Sequence, residues 1–171
     1  MIKKRGRFKK TRIAGVLELI DSDEKKLDLL YLDNSFPKEE NMPEGRFTGS
    51  LLHGNFFPLN ITQLRNFFQN PFVPWNGVRM QQVGKGEAQG INMFNVGPIE
   101  SRAFRFMAFR EPALFGSQAA LVFHYDRREN PAWIRPLRSE LKLISAGLYL
   151  GRSYYFTQGH NYFLFYFYLQ G

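Results

Sequence analysis

The chain of 171 residues contains no cysteine. That excludes a disulfide framework, thiolate-ligated zinc, an iron–sulfur cluster and a cysteine nucleophile. No apolar run approaches the roughly 20 residues of a transmembrane helix, and mean hydropathy is −0.35. The P-loop, G-x-S-x-G and G-x-G-x-x-G patterns are missing, so nothing marks a phosphate loop, a nucleophile elbow or a dinucleotide site. Gly84-Lys85-Gly86 joins two strand-like stretches and reads as a hairpin. Histidine is scarce, at three residues without HxH or HExxH spacing, and no metal or cofactor is expected. What is present is enough for one domain with a core: 44% hydrophobic residues and an aromatic share of 16%.

Acidic residues are absent from residues 1–12, which carry Lys3, Lys4, Arg5, Arg7, Lys9, Lys10 and Arg12. Removing those seven leaves 16 basic against 15 acidic residues, so the formal +8 of the whole chain becomes +1 for the body 13–171. The segment reads as a disordered, solvated tail, or as an arm that touches an anionic membrane surface. The nearly neutral body gives no ground for specific nucleic-acid binding. The apolar stretch Ile13-Ala14-Gly15-Val16-Leu17 stops at Glu18. A secretory core needs about 7–15 apolar residues, so a cytoplasmic protein is expected.

Residues 13–33 predict a helical lead-in. Ile13, Val16, Leu17 and Ile20 keep helical spacing, Asp21 with Glu24 suggests a capping box, and Leu27, Leu30 and Tyr31 continue an apolar face. Residues 34–45 read as a loop, and 61–69 as a short inserted helix ended by Asn70-Pro71. Eight strands are predicted: Arg46–Leu52, Val78–Val83, Gly90–Phe94, Arg102–Arg110, Ala119–Asp126, Leu137–Ile144, Leu148–Phe156 and Tyr162–Leu169. Short Gly- and Pro-marked connections imply an antiparallel meander. Eight such strands are expected to close as an up-and-down barrel, because closure removes both edges. The alternative is an α+β cone with a curved antiparallel sheet around the helices.

The last strand, Tyr162–Leu169, is apolar on both faces. Alternation puts Phe163, Phe165, Phe167 and Leu169 on one side and Tyr162, Leu164, Tyr166 and Tyr168 on the other. One face suits the barrel interior and the other a covering helix. Rings such as Phe104, Phe106, Phe123, Tyr125, Tyr154 and Phe165 form either a solid core or the wall of a small-molecule cavity. Arg105 and Arg152 stand on faces with apolar neighbours. They are candidates to hold a ligand carboxylate inside, against the plainer reading of arginines that reach the rim. Arg138, Glu140 and Lys142 share one face, expected to be solvated. His124 is the one histidine within a strand, and is a candidate acid–base with Asp126 or Glu140, or a structural residue.

Three stretches together carry a resemblance: Trp75-Asn76-Gly77 with Asn92 beyond it, His124-Tyr125-Asp126 with Asn130-Pro131, and Gly147–Gly151 leading to Phe165–Leu169. They resemble bacterial lipocalin-like barrels of the calycin group. Plastid fibrillins and the G-x-W-x-G lipocalin-like proteins are more distant. Gly45-Arg46-Phe47-Thr48-Gly49 has Phe where that motif has Trp. The resemblance implies a barrel holding an apolar ligand and transfers no catalytic residue.

Three functions are carried forward. The first is a barrel that binds a small apolar molecule, lipid- or fatty-acid-like, with a carboxylate on Arg105 or Arg152. The second is a small enzyme using His124 in a hydrophobic pocket. The third is an interaction module using the basic arm, with a homodimer formed through exposed rings of the last strand as a further expectation.

Overall fold

The structure, a computed structural model, describes residues 15–37, 42–54 and 74–171. The basic segment and the helix expected at 61–69 lie outside the described residues.

All eight predicted strands are present: β1 (Gly45–Gly54), β2 (Trp75–Gly84), β3 (Glu87–Val96), β4 (Ile99–Pro112), β5 (Ala119–His124), β6 (Leu137–Ser145), β7 (Leu148–Thr157) and β8 (His160–Gln170). Each pairs antiparallel with its neighbour in sequence, and β1 closes on β8. The fold is therefore the closed up-and-down barrel rather than the cone. Closure turns on β1, whose first half pairs with β2 and whose second half pairs with β8.

The expected single lead-in helix is two: α1 (Val16–Ile20) and α2 (Glu24–Asp33). The polar triplet between them explains the break. Ser22 Oγ donates back to Glu18 O at 2.6 Å, and extended Asp23 caps α2 by accepting from Lys26 N at 2.8 Å. Asp23, and not Asp21, is thus the cap. No helix among the described residues is long and apolar enough to cross a membrane.

Two cores result. Inward-facing side chains of the strands fill the barrel, with Phe47, Met80, Phe106, Phe123, Tyr149 and Phe167 among them. The second lies outside the barrel, where Leu19, Leu27, Leu30 and Tyr31 of the helices pack on Val122, Leu148, Leu150 and Tyr166. This is the covering helix that the two apolar faces of β8 called for. Strict alternation fails there at one point. Ser153 pairs with Phe165 while Tyr154 pairs with Phe163, which leaves Leu164 as an extra residue. The bulge turns Phe163 onto the outer face, against the Tyr166 ring at 5.1 Å. On β8 the rings of Phe165, Tyr166 and Phe167 are buried, and those of Tyr162, Phe163 and Tyr168 are partly exposed.

Candidate functional site

The barrel bore is filled unevenly. Near the end of β5, Phe123 stacks on Phe106 at 4.1 Å between ring centres, and Phe36, whose N–H donates to Ala119 O, belongs to the same core. Phe106 lies flat over Gly90, where a Cβ would meet its ring at 2.2 Å. Towards the start of β2 the filling is incomplete. A recess there is walled by Leu51, Phe94, Phe104, Leu137 and Phe165. Its cavity volume is only about 20 Å³. One water needs on the order of 10–15 Å³ of such space. The recess is therefore narrow.

One wall of the recess is polar and neutral. Trp75 Nε1 donates to Asn92 Oδ1 at 2.9 Å, and Asn92 Nδ2 donates to Phe104 O at 2.9 Å and to the Tyr125 hydroxyl at 3.3 Å. Ser139 and Ser153, cross-strand partners, share a hydrogen bond of 2.8 Å between their hydroxyls. Burial pushes the Tyr125 phenol up to about 12, with the Asn92 hydrogen bond opposing. It therefore stays protonated and can donate at neutral pH. Every described residue of the lining is uncharged.

Phe104 shapes the rim through its backbone. It is the extra residue of a bulge between the Ile91–Arg105 and Asn92–Ala103 pairs, and its φ is 59°. A ring-bearing residue in the left-handed region costs roughly 1–3 kcal/mol. Two asparagines hold it there. Asn92 bonds its carbonyl, and Asn130 brackets the next residue, accepting from Arg105 N at 3.0 Å and donating to Arg105 O at 2.7 Å.

Of the expected ligand residues, Phe104, Phe123, Tyr125 and Phe165 meet at this recess, and Phe106 lies deeper in the core. The other three do not. Arg105 pairs with Ile91 on the outer face and is exposed. Its apolar same-face neighbours Met107 and Phe109 lie on the barrel's outside, which the alternation alone does not reveal. Arg152 and Tyr154 also face outward, but beneath the helices. Trp75, Asn92, Ser139 and Ser153 also line the recess, outside the set that the sequence predicts as site residues. For Asn92, Ser139 and Ser153 the signal available is a small polar residue within a largely apolar strand.

The region beneath α2 corrects a second expectation. Glu140 and Lys142 are fully buried, not solvated. Glu140 accepts from the Tyr31 hydroxyl at 2.9 Å, Leu114 N at 3.1 Å and Arg138 Nε at 2.8 Å. Lys142 Nζ donates to Tyr31 O at 2.8 Å and lies 4.1 Å from the Tyr31 ring centre. Arg152 Nη1 donates to Asp28 Oδ1 at 2.7 Å and contacts the Tyr166 hydroxyl, which bonds the same oxygen. The counter-charge of Arg152 in this structure is thus a helix residue, Asp28.

His124 does meet a carboxylate, but it is Glu111, at 3.0 Å on the partly exposed outer face. Asp126 is exposed, and Glu140 is bound to other donors. The acid–base pair therefore does not form in the recess.

Burial pulls the Lys142 ammonium down to about 8 from 10.5, with Glu140 opposing and Arg152 assisting. Below pH 8 both folded and unfolded chains hold this proton. Between about 8 and 10.5 the unfolded chain binds more protons, so stability rises with pH. Tyr31, Tyr154 and Tyr166 act oppositely. Burial holds them protonated past the point near 10 where unfolded tyrosines ionise, and stability falls above it. Urea unfolding should show a gain of about 2–3 kcal/mol between pH 8 and 10, then a decline. Lys142→Met should abolish the gain and keep the decline. An equal gain in both proteins contradicts the assignment.

No protein-family model, curated protein or solved structure matches the chain.

Proposed function

We propose that the barrel binds a compact, neutral, largely apolar molecule in the recess at the β2 end, oriented by one polar group. The carrying observation is the neutral hydroxyl and amide wall of Asn92, Tyr125, Ser139 and Ser153 opposite aromatic and aliphatic side chains. Apolar walls with a few placed polar groups are the usual make-up of a small-molecule site. The absence of charge among the described lining residues favours an alcohol, phenol or ketone over a carboxylate, since an ionised group there would have no counter-charge. The narrow space, open to solvent at one side, favours a compact ring that enters as lining side chains move aside. A fatty acid is disfavoured, because its chain would need far more room.

Trp75 makes the recess self-reporting. Titration with 1-naphthol is expected to change tryptophan emission saturably, whereas palmitate should not. Tyr125→Phe keeps the shape and removes the hydroxyl, so affinity should fall roughly 3–10-fold, the worth of one net hydrogen bond. Ser153→Phe should fill the space and abolish binding, with thermal unfolding confirming that the barrel persists. Binding unchanged in both variants, or palmitate binding tighter than 1-naphthol, refutes the reading.

A further inference from the structure

We propose that the outer face of β7 and β8, beneath α2, is a latent carboxylate-binding site centred on Arg152 and Tyr154, which Asp28 fills only in part. The site is separate from the barrel recess. Arg152 and Tyr154 are two apart on β7, side by side on its outer face, and both are more than nine-tenths buried. Phe115 and Phe163 flank the guanidinium, with ring centres 3.9 and 4.4 Å from its carbon. The Tyr166 ring lies at 4.8 Å.

The hydrogen-bond inventory is short of acceptors. Arg152 Nη1 and the Tyr166 hydroxyl share one oxygen, Oδ1 of Asp28. Arg152 Nε and the Tyr154 hydroxyl are enclosed and, although Tyr154 interacts with Arg152, neither atom completes a hydrogen bond among the described residues. Buried donors are rarely left so, because each forfeits its hydration without replacement. A guanidinium is built to take a carboxylate on two N–H groups at once. Asp28 is tethered to a helix whose seat is fixed by Leu27, Leu30 and Tyr31, and its bonds to Arg152 and Tyr166 use one oxygen. An untethered carboxylate can span Nε and an Nη of Arg152, with the Tyr154 hydroxyl as a third donor. Its apolar body would lie among Phe115, Phe163 and the ring of Tyr166. Entry requires α2 to lift, and the Asp28 side chain, about one-third exposed, is the latch that opens first.

The test uses the full chain and benzoate, with benzamide as the neutral isostere. Asp28→Asn removes the competing charge, so benzoate should bind this variant about tenfold tighter than the parent. Benzamide should bind neither. Hydrogen exchange of the α2 amides, residues 24–33, should accelerate as benzoate saturates. Arg152→Met in the Asp28→Asn background should abolish binding. Tyr154→Phe separates this site from a structural cluster by opposite signs. It should raise the melting temperature, because an unpartnered hydroxyl is removed, and weaken benzoate binding several-fold. The proposal fails if benzoate does not saturate Asp28→Asn, as expected where a single buried water bridges the donors. It fails equally if binding survives Arg152→Met, which places benzoate in the barrel, or if Tyr154→Phe lowers the melting temperature.

Discussion

Replacing Glu140 with alanine should lower the unfolding free energy by about 3–5 kcal/mol, the usual result of breaking a buried ion pair from one side. The side chain is fully buried and ends in three hydrogen bonds, from Tyr31, Leu114 N and Arg138. Removing it leaves Arg138 Nε and the Leu114 N–H without their acceptor and frees the Tyr31 hydroxyl that ties α2 to β6. Each kcal/mol is worth about 2–4 °C for a chain of this size, so the melting temperature should drop by about 10 °C. Glu140→Gln should cost less, since it still accepts from Tyr31 and Leu114 while losing the charge. The instructive variant is Glu140→Leu with Arg138→Leu, which removes both members of the ion pair. Buried ion pairs often do no better than apolar residues of similar volume, because desolvation cancels the Coulomb attraction. The double variant should therefore recover most of the loss. Thermal and urea unfolding of the three proteins decides it. A loss under 1 kcal/mol for Glu140→Ala, or a double variant weaker than the single one, would show that the cluster is not coupled as described.

The barrel was legible in the sequence because its determinants are local. Hairpins are marked by residues at the turns, such as Gly86 and Gly147, and eight consecutive short-range pairings leave little choice of topology. Where the reading went astray, the cause was a contact or a backbone change that periodicity does not carry. Leu164 and Phe104 each insert one residue into a strand, and one residue reverses every face beyond it. Arg138, Glu140 and Lys142 have the alternation of a solvated face, and Arg138 does keep partial exposure. The other two are buried because α2 and the segment at Leu114 bring a hydroxyl, an N–H and a carbonyl to them. Arg152 finds its counter-ion 124 positions away in sequence. The recess shows the same limit. Trp75 and Asn92 belong to the stretches that carry the family resemblance, but their hydrogen bond exists only once β2 and β3 pair. Aromatic content could not separate a filled bore from a hollow one, since the structure contains both.

Gly77→Ala should be as damaging as the loss of Glu140, for a reason that lies wholly in the backbone. Gly77 sits opposite Thr48, the residue at which β1 passes from pairing with β2 to pairing with β8. Its φ is 114°, a conformation closed to side-chain-bearing residues except under strain. A Cβ there would also stand 2.0 Å from Phe47 O and 3.0 Å from Gly49 N. Both obstacles are main-chain atoms of the closing strand, so no rotamer change relieves them. Strain of about 1–3 kcal/mol and steric displacement of similar size together give roughly 3–5 kcal/mol. Gly86→Ala is the control. Its φ of 78° carries a similar conformational penalty, but a Cβ at that hairpin meets nothing within 4 Å. It should cost only about 1–2 kcal/mol. The difference between the two variants isolates the approach of β1 to β2 from the cost of the dihedral alone. Hydrogen exchange should localise it. In Gly77→Ala the amides of Gly45–Thr48 should lose protection first, because these residues form the whole β1–β2 ladder. In Gly86→Ala protection should fall evenly. If both variants lose the same stability, the seam is not held by the close approach at Gly77.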